Sequence, residues 1–196
     1  MLGVALGVAL ALTIGLSGRA AAAQDPQAVV AYVGAQGMAT LGPSISPAQR
    51  TARLRELFAN YFDAGHLAAF ALGRYRAIAT PQQQQEYFRL YEDYTVASYG
   101  AQLAHIGAAP FQVTGSRFYG EEAVVSSEVA RADGTRTRID WYLVDRHGRY
   151  KITDVNIAGS SMKVTQRNEF AQWIDSNGGR FDALLAVLRQ QIAQSR

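Results

Sequence analysis

Two carboxylates, Asp140 and Asp154, stand in consecutive stretches of alternating polar and apolar residues, RTRIDWYLVD and RYKITDVNI. On adjacent antiparallel strands the two can face one another. A facing carboxylate pair splits its pKa values and can serve as general acid and base. The same stretches carry Arg136, Arg138 and Arg149, so cross-strand ion pairs are the plainer use of both acids. The three histidines are dispersed. His66 and His105 fall in helical segments, His147 precedes Gly148 in a turn, and none has an acid–base partner pattern around it. No Gly-rich phosphate loop, G-x-S-x-G elbow or metal-ligand spacing is present. The chain has no cysteine, which removes disulfides, thiolate metal sites, a thiol nucleophile and a lipidated thiol. The sequence therefore calls for no metal and no cofactor.

What the chain has in quantity is apolar surface. Apolar residues make up 48% and charged residues 18% of 196 residues, a globular composition. The formal charge is +3, and 17 of the 19 basic residues are arginines spread along the chain. Arg50, Arg53 and Arg55 form only a solvated helix face, so nucleic acid is not expected as a partner.

The elements that position these residues are legible from periodicity. Residues 26–39 read as a short helix with Val29 and Val33 one turn apart. Ser46-Pro47-Ala48-Gln49 is a helix start, followed by Leu54, Leu57, Phe58, Tyr61 and Phe62 on one stripe. A short helix spans 66–72, and Gly73 closes it. Thr80-Pro81-Gln82-Gln83 repeats the start signal and opens the longest helix, 81–105, with Phe88, Tyr91, Thr95 and Ser98 on a tyrosine-rich stripe flanked by Tyr87, Leu90, Tyr94 and Val96. After Gly107 the period changes to two. Four strands are expected, 111–118, 123–130, 135–145 and 149–157, with Asp133-Gly134 and His147-Gly148 as hairpin turns. Ile139, Trp141 and Leu143 share one face of the third strand. Helix resumes at about Thr165, stops at Asn177-Gly178-Gly179, and a last helix runs 181–194. The expected fold is α+β: an antiparallel four-stranded meander packed against N- and C-terminal helices, with an apolar cavity between the layers.

The first 18 residues carry no charged side chain, and Ala21-x-Ala23 makes a cleavage site. Residues 1–23 are read as a signal peptide and 24–196 as a single domain. An exported, periplasm-like location follows, with a retained membrane anchor as the alternative.

The segment IDWYLVDRHGRYKITDVNIAGSSMKVTQRNEFAQWIDSNGGRFDALLAVLR, with FDAGHLAAFALGRYRAIATPQQQQEYFRLYEDY upstream, resembles the toluene-tolerance, or MlaC, family of periplasmic phospholipid-binding proteins. The MKVTQRNEF and NGG details are most similar to its hopanoid-associated branch, often called HpnM. One departure stands out: Ala158-Gly159-Ser160-Ser161 replaces the family's frequent Gly-Val-Ser after the last strand. The resemblance implies a non-enzymatic carrier that holds a phospholipid or hopanoid-like amphiphile, acyl chains inside and head group near solvent. It implies transfer between an outer-membrane lipoprotein complex and an inner-membrane ABC transporter complex. The side chains expected to wall the lipid site are Phe58, Phe62, Tyr75, Tyr91, Tyr94, Ile139, Trp141, Leu143, Met162, Val164 and Phe170. Two other functions fit the residues alone: a small pocket enzyme using Asp140 or Asp154 as base, which requires a raised carboxylate pKa inside the pocket, and a protein-binding adaptor with a filled core.

Overall fold

The computed structural model describes residues 24–106, 109–130 and 134–194, the side chains of 101–106 excepted. The expected signal peptide, 1–23, and the turn residue Asp133 lie outside the described residues. Four helices come first: α1 (Pro26–Ala39), α2 (Pro47–Tyr61), α3 (Ala64–Leu72) and α4 (Pro81–Ile106), with a 3-10 turn, Gly73–Ala77, before α4. The strands follow as β1 (Phe111–Tyr119), β2 (Glu122–Ala130), β3 (Arg136–Asp145), β4 (Tyr150–Ile157) and β5 (Ser160–Ser161). Helices α5 (Met162–Asp175) and α6 (Phe181–Gln194) close the described chain.

Helix starts follow their local signals. Ser46 and Gln49 cap α2 reciprocally: the Gln49 backbone N–H donates to Ser46 Oγ at 3.3 Å and the Ser46 N–H to Gln49 Oε1 at 3.0 Å. Thr80 and Gln83 repeat the pattern at 3.2 and 2.9 Å. Pro at the first helical position of α1, α2 and α4 loses nothing, because that N–H has no partner within a helix.

The sheet is an antiparallel meander in the order β1-β2-β3-β4-β5. It has five strands rather than the four expected. After β4 the chain reverses through Ala158 (φ 50°) and Gly159 (φ 90°), and Ser160 and Ser161 pair back on Ile157 and Asn156. The predicted hinge is thus a tight turn. His147 (φ 58°) and Gly148 (φ 82°) form the expected left-handed turn between β3 and β4. A bulge in β4 corrects the expected alternation. Tyr142 pairs with Asp154 but Leu143 pairs with Ile152, so Thr153 is the extra residue. Ile152 and Val155, which strict alternation separates, both join the apolar layer that holds Trp141 and Leu143.

Two apolar cores result. One lies among the helices, around Tyr87, Phe170, Ile174, Leu184, Leu185 and Leu188. The other lies between α1 and the sheet, around Val29, Val30, Val33, Val125, Trp141, Leu143 and Ile152. Phe62 touches both. It sits at the end of α2, where the chain makes a strand-like bridge to Ile152 and the Asp63 N–H donates to the Ile152 carbonyl at 2.9 Å. Among the described residues no helix is long and apolar enough to cross a membrane.

Candidate functional site: an apolar cavity between the two cores

The two cores meet at Phe62 and part beyond it, leaving a cavity of about 230 Å³. For scale, a dry engineered cavity of roughly 150 Å³ accepts benzene. Helix α1 contributes Val33, Gly34, Gly37 and Met38, a stripe at spacings of three and four. Helix α2 adds Leu54, Leu57, Phe58 and Phe62, and α4 adds Tyr91, Thr95, Val96, Tyr99 and Gly100. The sheet supplies Phe111, Val129, Thr137, Ile139, Trp141, Asp154, Val155 and Ile157, and α5 supplies Met162, Lys163 and Gln166.

Of the side chains expected to wall the site, Phe58, Phe62, Tyr91, Ile139, Trp141 and Met162 line this cavity. Five others do not, and each has a packing reason. Phe170 is fully buried at the centre of the helical core, edge-on to the rings of Tyr87 and Tyr91. Tyr94 turns toward Phe170 and Trp173 on α5. Tyr75 lies in the 3-10 turn, its hydroxyl accepting from Arg74 at 2.5 Å. Leu143 is fully buried near the end of β3, packed in the sheet core outside the cavity. Val164 is 42% exposed, because α5 begins at Met162 rather than near Thr165 and rotates Val164 to the outside.

That early start has a tertiary cause. Ser161 caps α5, accepting from the Val164 N–H at 3.2 Å. The Asp154 carboxylate on β4 accepts from the Ser161 hydroxyl (2.5 Å) and from the Lys163 (3.1 Å) and Val155 (2.8 Å) N–H groups. A carboxylate at the first turn satisfies donors that the helix itself leaves open, and complements the helix dipole. Asp154 therefore lines the cavity but is occupied in fastening α5 to β4. Asp140 is outside the cavity. It accepts from Ser126 Oγ at 2.5 Å and pairs with the Arg138 guanidinium at 3.0 Å. Desolvation pushes its pKa up, but the Ser126 hydroxyl and Arg138 outweigh it and hold the carboxyl below the ordinary aspartate value. The two acids do not face one another: Asp140 pairs with Asn156, and Asp154 with Tyr142. Neither is placed as the expected base. His66 sits at the exposed first turn of α3, His147 in its turn, and His105 among the side chains not described.

Beside Thr137, Asp154 and Lys163, the wall holds a buried polar cluster, two of whose members, Tyr91 and Thr95, sit on the tyrosine-rich stripe of α4. The Tyr91 hydroxyl donates to Gln166 Oε1 at 2.6 Å, and Gln166 Nε2 reaches Thr95 Oγ1 at 3.5 Å. All three are buried. Burial raises the Tyr91 and Tyr99 phenols far above the ordinary tyrosine value, so both stay neutral hydrogen-bonding groups. Trp141 Nε1–H donates to Ser127 Oγ at 2.8 Å, so the indole presents its apolar face to the cavity with its one donor satisfied. Thr95 and Gln166 lie one turn from Tyr91 and Met162, a spacing visible in the sequence. What brings the two helices together is not. The α1 stripe was also visible, but its glycines at 34 and 37 do not register as apolar positions.

Sheet, helices and lining together define an α+β shell around a largely apolar cavity with a buried polar cluster on α4 and α5. The chain belongs to the MlaC family, whose model, the MlaC protein, matches residues 40–190. In three dimensions the chain is similar to a phospholipid-binding protein from Ralstonia solanacearum solved in complex with a phospholipid. The TM-score is 0.70 with 24% sequence identity, over 88% of this chain and 99% of that one.

Proposed function

We propose that this protein is a non-enzymatic carrier that holds the acyl part of a phospholipid or related amphiphile in the cavity between its two cores. The observation that carries this reading is the cavity itself: an apolar space, walled by both layers, in a chain of the MlaC family. Burial of each methylene contributes about 0.8 kcal/mol, so a wall of this composition retains an acyl chain without specific polar contacts. A protein that only bound another protein through its surface would need no such space. The fold shared with the Ralstonia protein, which was solved with a phospholipid, supports the same assignment.

The carrier would work in the periplasm after removal of residues 1–23. It would exchange lipid with an outer-membrane lipoprotein complex and an inner-membrane ABC transporter complex, as the sequence resemblance implies. The test is native mass spectrometry of the protein purified without detergent, followed by lipid extraction. A bound mass of one amphiphile per chain is expected. Protein that emerges free of lipid under gentle extraction, and takes none up from vesicles, overturns the proposal.

A further inference from the structure

One face of the helical layer carries cations without acids. Residues 64–85, which form α3, the 3-10 turn and the start of α4, contain no Asp or Glu. Neither do residues 155–168, which include the first half of α5. Helices α3 and α5 pack against each other, and cations gather along that seam. Lys163 Nζ and the Arg167 guanidinium carbon lie 5.2 and 5.4 Å from the centroid of one ring, Phe70 on α3. Arg167 also packs over Gly73, where an added Cβ would stand 2.9 Å from its Nε. Arg76 follows Gly73 by one 3-10 turn. Among the described residues, the ion pairs include Arg74, which meets Asp175 at 3.2 Å, but not Lys163, Arg167 or Arg76. The bordering acids are engaged. Asp63 pairs with Arg146 at 3.0 Å, and Asp154 accepts from the Ser161 hydroxyl and the Val155 and Lys163 N–H groups.

Val164 is the exposed aliphatic side chain of this face, next to Lys163 and one helical turn from Arg167. Lys163 also lines the cavity and is only half-buried, so the face adjoins the cavity's edge. Glu169 lies on the α4 side of α5, within electrostatic reach of Tyr94 and Tyr99. An aliphatic side chain flanked by cations suits the headgroup boundary of an anionic bilayer. There the cations stay in water among the phosphates while the aliphatic group sits below them. The core of a protein interface is by contrast depleted of charge.

We propose that the α3–α5 face, through Lys163, Arg167 and Val164, docks the protein on the surface of an anionic bilayer and turns the edge of the cavity toward it. This goes beyond the carrier reading, because surface docking needs no cargo and either can fail alone. The attraction is long-range and reversible: each Lys or Arg near an anionic surface strengthens binding about fivefold, and salt screens it.

The experiment sediments the purified chain with two kinds of vesicle, phosphatidylcholine alone and equal parts phosphatidylcholine and phosphatidylglycerol. Any purely apolar insertion shows equally on both. The wild type is expected to bind the anionic vesicles more tightly, and to leave them at about 1 M salt, where the screening length falls to about 3 Å. K163Q/R167Q is expected to weaken anionic binding about thirtyfold, about fivefold for each cation removed. K163R/R167K is expected to keep it. R53Q/R89Q, which removes the same charge from exposed positions on α2 and α4, is expected to bind as the wild type does. The proposal is overturned if the wild type shows no preference for anionic vesicles, which would leave the face to an acidic protein partner. It is equally overturned if K163Q/R167Q keeps the preference, or if R53Q/R89Q loses it to the same extent, which would make net charge rather than this face responsible. A chain that carries lipid yet ignores anionic vesicles removes this proposal alone, and one that binds them but carries no lipid removes only the carrier reading.

Discussion

Gly37→Leu separates binding from folding, because it should move the two in opposite directions. Gly37 lies on the α1 stripe that faces the cavity, and a Cβ built there meets nothing within 4 Å. Gly37 is not among the glycines with positive φ, so no left-handed backbone is lost. Replacing a helical glycine by a good helix former gains up to about 1 kcal/mol, and a shift of that size moves the midpoint of a chain this long by roughly 2–4 °C. The same leucine adds four carbons on the cavity side. If they displace as many lipid methylenes, at about 0.8 kcal/mol each, retention falls by about 3 kcal/mol, or roughly a hundredfold. Thermal unfolding of delipidated protein and lipid quantification after vesicle loading read the two effects independently. A raised midpoint with an undiminished lipid load would refute the argument, since the lipid would then lie elsewhere. A lowered midpoint would mean that the stripe is already filled.

Other expectations are simpler. Trp141→Arg should empty the cavity of lipid by placing an unpaired charge in its wall, whereas Leu143→Arg, at a fully buried site outside the cavity, should prevent folding; circular dichroism beside lipid quantification distinguishes them. Gly34→Ala should destabilise by about 1–3 kcal/mol in urea unfolding, because its Cβ would stand 2.2 Å from the Phe111 ring. Ala158→Gly should stabilise by up to about 1 kcal/mol, since alanine there holds φ at 50°, a conformation that glycine adopts without strain. For pH dependence, Asp63 is the group to follow. Desolvation pushes its carboxyl up, but the His66 N–H and the Arg146 guanidinium outweigh it and hold it below the ordinary aspartate value of 3.8. Its contribution is therefore complete above about pH 4 and is lost as pH falls through the lower folded value. Asp63→Asn should flatten the acid limb of the stability profile measured by denaturant titration.

The sequence by itself determined the elements and the family. Ser46-Pro47 and Thr80-Pro81 announce their helices because capping is local chemistry between residues three apart. The meander is legible because Gly120, Gly134 and Gly148 punctuate runs of period two. Six of the eleven expected wall residues line the cavity because stripe position, read from 3.6- or 2-residue periodicity, decides whether a side chain faces inward. Periodicity cannot say which part of the interior is filled. Phe170 and Met162 are both inward residues of α5, yet one is packed among four aromatic rings and the other faces space. That difference depends on how two cores, formed by segments distant in the chain, fail to meet beyond Phe62. Only tertiary structure could decide it. The same holds for Asp154, a strand acid whose carboxylate holds the cap of a helix, Ser161, seven residues later because a two-residue turn folds that serine back beside it.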